Sequence, residues 1–190
     1  MKILFSLFIM LALISCQQPH APKPRAYFRI DLPEKEFKPF DQDFPYSFEI
    51  PVYGTFEPNT RPNSMPYWAD VVFPEFRARI HLTYKAVRSP QSLNAFLEDS
   101  REFTSRHIPK ASAIDEELFM DEQRRVFGML YHIRGRDVAS PLQFFLTDSV
   151  NHFLRGSLYF YVTPNNDSLA PVIQFLETDI RHLIATLNWN

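Results

Sequence analysis

Six histidines, His20, His81, His107, His132, His152 and His182, are the residues of this chain best suited to metal ligation or proton transfer. None stands two or four positions from another, the spacings that place two imidazoles on one strand or helix face. The single cysteine, Cys16, lies near the N-terminus. Scattered in this way they read as surface or hydrogen-bonded side chains, and no metal is expected. Asp148, Ser149 and His152 gather the residue types of a hydrolytic triad in one short stretch. Triads are defined by three-dimensional geometry, however, and no G-x-S-x-G elbow accompanies these residues, so Ser149 is expected to serve a turn. The acidic run Asp115-Glu116-Glu117, with Asp121-Glu122, offers paired carboxylates, although such runs are ordinarily solvated. Gly54, Gly128, Gly135 and Gly156 are too far apart to cradle a phosphate. No catalytic residue and no cofactor is assigned.

Recognition chemistry is better represented. Arg155 falls on the polar side of an alternating stretch, among Phe153, Tyr159 and Tyr161. Arginine beside tyrosine and phenylalanine is the composition of interface hot spots, and it is equally the composition of an arginine stacked on its neighbours for packing. Tyr27, Phe28 and Arg29 form a second cluster of the same kind, readable as a docking surface or as cover for a strand edge. The charge balance is −2, with 20 basic and 22 acidic residues interspersed, which leaves no basic footprint for nucleic acid.

These side chains need elements to hold them. Residues 140–162 form the organising stretch: Leu142, Phe144 and Leu146 make one apolar row, and residues 148–151 are turn-prone. From Leu154 the alternation is strict, with Leu154, Gly156, Leu158, Phe160 and Val162 on one face and Phe153, Arg155, Ser157, Tyr159 and Tyr161 on the other. This is an antiparallel hairpin. Further strands are predicted over residues 46–52, 67–73, 77–85 and 126–133, the second and third hairpinned and the last central, while residues 114–120 are ambiguous between strand and turn. Residues 89–108 switch to helical period, with Ser89 as cap, Pro90 at the first helical position and Pro109 as the stop. Residues 168–187 carry Val172, Ile173, Leu176, Ile180, Leu183, Ile184 and Leu187 at helical spacing, with Asp167 as cap and Pro171 in the first turn. The fold class is α+β: one mainly antiparallel β-sheet flanked by two amphipathic helices.

The N-terminus gives an address. Lys2 precedes an uncharged apolar block too short to span a bilayer, and Leu13-Ile14-Ser15-Cys16 resembles a bacterial lipobox. Residues 1–15 are therefore expected to be a lipoprotein signal peptide and Cys16 the lipidated residue, followed by a proline-rich tether over residues 16–25 and a single α+β domain over residues 26–190. Residues 26–39 are expected to be extended, anchored by Tyr27, Phe28 and Phe37, because Pro33 and Pro39 bar a helix.

Together the lipobox, PKPRAYFRIDLPEKEFKPFD (residues 22–41), FLEDSR (96–101), SPLQFFLTDSVNHFLRGSLYF (140–160) and PNNDSLAPVIQFLETDIRHLI (164–184) resemble the GldD family, gliding-motility lipoproteins of the Bacteroidetes. The resemblance covers almost the whole chain. It implies a non-enzymatic cell-envelope lipoprotein required for gliding, an accessory or stabilising partner of the gliding and type IX secretion machinery, with no catalytic residues to carry over. Its expected partners are other gliding-motility or type IX secretion envelope proteins, and the membrane through the lipid anchor. No acidic cluster follows Cys16, so the expected location is the outer membrane facing the periplasm, with the inner membrane as the alternative. The element order is also similar to the Mog1/PsbP-like α/β/α sandwich, a fold analogy that assigns no activity. The competing reading is a periplasmic domain that binds or processes a small ligand or glycan in a pocket against the sheet.

Overall fold

Alternation of apolar and polar residues generates a seven-stranded antiparallel sheet, the centre of the molecule in a computed structural model that describes residues 30–40 and 42–190. Its strands are β4 (Thr55–Pro58), β5 (Ala69–Phe73), β6 (Ala78–Ala86), β7 (Ala113–Asp121), β8 (Val126–Arg134), β9 (Leu142–Thr147) and β10 (His152–Phe160), in the spatial order β4-β5-β6-β10-β9-β8-β7. Helix α1 (Pro90–Ser105) lies on one face and α2 (Asn166–Thr186) on the other, an α/β/α sandwich. Residues 31–190 form one compact unit.

The organising hairpin is as its sequence pattern requires. Leu154 and Leu158 of β10 enter the core with Ile80, Leu82, Leu130, Phe144 and Leu146, against Val172, Leu176, Ile180, Leu183 and Ile184 of α2. Gly156 sits opposite Phe144 because a Cβ there would stand 2.1 Å from the phenylalanine ring. The opposite face of β10 carries Phe153, Arg155, Ser157 and Tyr159, paired across to Lys85, Thr83, His81 and Arg79 of β6.

The helix α1 begins where the sequence predicts: the Ser89 hydroxyl accepts from the Ser92 amide, and Ser92 returns a bond to Ser89, a reciprocal cap with Pro90 at the first position. It ends at Ser105, earlier than Pro109, which instead lies in a 3-10 turn over Ile108–Lys110. Helix α2 starts two residues before the expected start, so Asn165 rather than Asp167 occupies the N-cap position, with no side-chain capping bond. Pro171 therefore lies beyond the first turn, where it removes the amide that would reach the Asp167 carbonyl.

Three strand readings change. The stretch 46–52 keeps its buried row of Tyr46, Phe48 and Ile50 but divides into β2 (Tyr46–Ser47) and β3 (Glu49–Pro51). Each half pairs elsewhere, β2 with β11 (Asn188–Trp189) and β3 with β1 (Phe37–Pro39). The ambiguous segment becomes β7, a nine-residue edge strand. Strand β8 is next to that edge instead of central.

The segment leading into the domain is strapped along α2. The Lys35 ammonium donates to Asp179 Oδ1 at 2.6 Å, to the Tyr53 hydroxyl at 2.7 Å and to the Phe175 carbonyl at 2.8 Å, and it lies 3.2 Å from the Phe175 ring centroid. Tyr53 donates to the other Asp179 oxygen at 2.7 Å. Two residues on, Phe37 stacks on His182 with centroids 3.5 Å apart, and His182 Nε2 bonds Glu49 at 2.7 Å. Burial raises the Asp179 carboxyl, offset in part by Lys35 and Tyr53; it lowers the Lys35 ammonium against the pull of Asp179.

Candidate functional site: the second face of the sheet

The sheet has one filled face and one divided face. Helix α1 crosses the second face along β10, where Phe96 packs on Phe153 with ring centroids 5.6 Å apart and Phe103 covers the Arg155 guanidinium at 3.9 Å. Phe153 is also stacked against Phe145 and is only 2% exposed. The expectation that Phe153 belongs to an interaction surface is thus corrected: its side chain points at α1, and the amphipathic helix takes the position a partner would need. Arg155 is largely covered for the same reason. It forms no salt bridge among the described residues; its one polar contact there is a long bond of 3.4 Å to Ser157, and Nε is buried without a partner. Burial lowers its basicity, partly offset by Tyr159 and Asp99.

Beyond the reach of α1 no other described helix crosses the same face, over β5, β6 and the end of β10, where Asp70 is buried and Tyr161 exposed. Arg79 Nη1 donates to Asp70 Oδ2 and His81 Nδ1 donates to Asp70 Oδ1, both at 2.6 Å. Burial alone would raise the Asp70 carboxyl, but the bonds and charges of His81 and Arg79 outweigh it and hold it below the usual range. Tyr159 lies 5.4 Å from the His81 ring, and the Arg79 guanidinium is 5.0 Å from the ring of Tyr161, which is 48% exposed. The structure therefore separates the four residues grouped by alternation, leaving Tyr159 and Tyr161 on the part that α1 does not cross with Arg79, His81 and Asp70. Sequence reading passed over these three partners. Arg79 and His81 alternate along β6 and Asp70 lies on β5, so their 2.6 Å convergence depends on the β5–β6 register. Cys16, Tyr27, Phe28 and Arg29 lie outside the described residues.

The hydrolytic arrangement is not assembled. Asp148 Oδ1 accepts the backbone amides of Val150, Asn151 and His152 at 2.8–2.9 Å, and these bonds hold its carboxyl low against the raising effect of burial. Ser149 takes the left-handed conformation at φ 67°, as a tight hairpin turn requires. His152 instead bonds the Tyr84 hydroxyl at 2.9 Å and stacks on Trp189. The acidic run also resolves into ion pairs: Asp115 with Arg134, Glu117 with Arg181 and Asp121 with Arg124. Among the described residues no group of three or more His, Cys, Asp or Glu is placed to hold a metal.

Comparison with known proteins settles the lineage. Residues 17–189 match the family described as gliding motility lipoprotein GldD. The chain belongs to the GldD family of gliding-motility lipoproteins. The GldD resemblance read from the sequence is correct, and association with gliding motility follows at the family level. No curated protein matches the chain. Among solved structures it is similar to the solution structure of cyanobacterial PsbP (CyanoP) from Synechocystis sp. PCC 6803. That match has a TM-score of 0.50 and 10% identity over 86% of this chain and 98% of the other. At that identity the likeness concerns the fold, and it agrees with the α+β, PsbP-like architecture. No helix of the described residues is long and apolar enough to cross a membrane.

Proposed function

We propose that this GldD-family chain is a non-enzymatic accessory lipoprotein that binds and stabilises envelope proteins of the gliding and type IX secretion machinery. In this reading residues 1–15 are removed as a signal peptide, and Cys16 carries the lipid. Residues 16–25 then tether a domain of residues 26–190 in the periplasm at the outer membrane. The observation that carries the proposal is the part of the sheet's second face that α1 does not cross, where Arg79 stacks on exposed Tyr161 beside Tyr159. Stacked arginine and tyrosine give large contact area at small entropic cost, and Asp70 fixes the guanidinium before any partner arrives. The core between the sheet and α2 is filled by side chains, which weighs against a processing site buried there.

The test is site-specific photocrosslinking in cells, with the reactive group placed at Tyr161 and, as a control, at exposed Asn63 in the loop between β4 and β5. Labelling of envelope motility or secretion proteins from Tyr161 alone is expected, and Arg79→Ser should reduce it at unchanged protein level. Equal labelling from both positions, or none from either, would refute the assignment of this face. Separately, Cys16→Ala should abolish detergent-phase partitioning of the mature form; partitioning that persisted would remove the anchor from the account.

A further inference from the structure

A cleft of about 580 Å³ opens between the loop that follows β4 and the first turns of α1, at the end of β6 opposite to Arg79 and Tyr161. Its volume lies within the roughly 300–1,000 Å³ common to small-molecule sites. Tyr67, Trp68, Tyr84 and Phe96 form its walls, with Met65 and Pro66 at the lip. The walls are fixed before any ligand arrives. Trp68 Nε1 donates to the Tyr84 carbonyl at 3.2 Å, Tyr84 is held by His152, and the Tyr46 hydroxyl donates to the Tyr67 carbonyl at 2.9 Å.

Tyr67 adopts φ 62°, a conformation that aromatic residues rarely take, and its ring stays 45% exposed despite edge contacts with Phe44 and Tyr84. Strain of this kind persists where the surroundings enforce it, and here it presents an aromatic ring to the cleft. The lining also has a sign. Among the described residues it contains Lys85 and Arg88 and no carboxylate. Lys85 is shared between Asp99 at 2.9 Å and the Phe96 ring at 4.5 Å, whereas the exposed Arg88 guanidinium forms no salt bridge among the described residues.

We infer that this cleft binds a small amphiphilic anion, a flat aromatic or short alkyl body lying among Tyr67, Trp68 and Phe96 with one carboxylate, sulfonate or phosphate group at Arg88. Aromatic walls supply apolar contact and ring stacking, and the uncompensated cation selects the charge. The site is separate from the proposed partner surface, so occupancy at one can be measured without the other.

The full chain in lipid nanodiscs, with empty nanodiscs as blank, is titrated with 2-naphthalenesulfonate and with neutral 2-naphthalenemethanol. Two tryptophans, Trp68 and Trp189, make 5-fluorotryptophan labelling a two-signal reporter. The Trp68 ¹⁹F resonance should move with either probe and by more than that of Trp189. Calorimetry should give the sulfonate about three- to fivefold tighter binding, the range of one exposed charge pair. Arg88→Gln should erase that preference while leaving the neutral probe unchanged, and Tyr67→Ala should weaken both. An unmoved Trp68 signal at millimolar probe, or a sulfonate preference indifferent to Arg88→Gln, overturns the inference. Arg88 is exposed, so that variant folds as the parent does, and the neutral probe confirms an intact cleft.

Discussion

Replacing Lys35 by methionine isolates the strap that runs along α2. The change removes one charge, keeps most of the apolar stem, and leaves Asp179 with the Tyr53 hydroxyl as its remaining side-chain donor. Breaking a fully buried pair from one side costs about 3–5 kcal/mol, because the surviving charge is stranded. The Asp179 side chain is 1% exposed but that of Lys35 is 26% exposed, and the solvent share lowers the expectation to about 2–3 kcal/mol at pH 7. For a domain of this size that is a fall of about 4–12 °C in melting temperature. The pH dependence identifies the cause. The folded-state pKa of Asp179 is already raised by burial above its ordinary 3.8, and loss of the cation raises it further. A group raised in the folded state destabilises at high pH and is relieved as pH falls through the folded value, so the Lys35→Met deficit should shrink in acid. Urea unfolding of wild type, Lys35→Met, Asp179→Leu and the double variant, at pH 7 and pH 4.5, completes a cycle. The double variant should recover to within about 1 kcal/mol of wild type, since two apolar side chains leave no stranded charge. A Lys35→Met deficit under about 1 kcal/mol, or one that does not change with pH, would refute this account of the strap.

Other perturbations probe the sheet. Gly156→Ala should cost about 2–4 kcal/mol by thermal unfolding, because the new Cβ meets the buried Phe144 ring, and Phe144→Leu in the same chain should return most of it. Asp148→Ala removes the acceptor of three backbone amides and should cost about 2–3 kcal/mol at neutral pH; Asp148→Asn, which keeps the oxygen, should cost less than half as much. Burial depresses the pKa of His152, against Asp148, and that of His107, with help from Lys110. Their contribution is therefore present above the ordinary 6.5 and lost as pH falls through the folded values. Melting temperature should decline on that interval, less steeply in His152→Asn.

How far the sequence speaks depends on the reach of each interaction. The β9–β10 hairpin was legible in detail because alternation, the turn residues and the cap of α1 are local signals. Strand β7 was not, since Asp115, Glu116 and Glu117 interrupt its alternation, and the arginines that pair with it, Arg134 and Arg181, lie outside the segment. The division of residues 46–52 was equally hidden. One apolar row runs through them, but the change of partner at Phe48 is set by β1 and by β11 at the opposite end of the chain. Arg155 illustrates the limit for sites: its neighbours on the strand were evident, while Phe103, which covers it, comes from α1. The meeting of Lys35 with Asp179 spans 144 positions and carries no motif.

The margins of the sheet bear on how copies of this chain meet. The β7 margin carries Asp115, Glu116 and Glu117, charged side chains of the kind that blunt a sheet edge, two of them held by Arg134 and Arg181. The opposite margin, β4, has only four residues and ends in Pro58, which cannot donate to a neighbour. Neither margin offers a second copy an uninterrupted apolar strand, which limits edge-to-edge pairing.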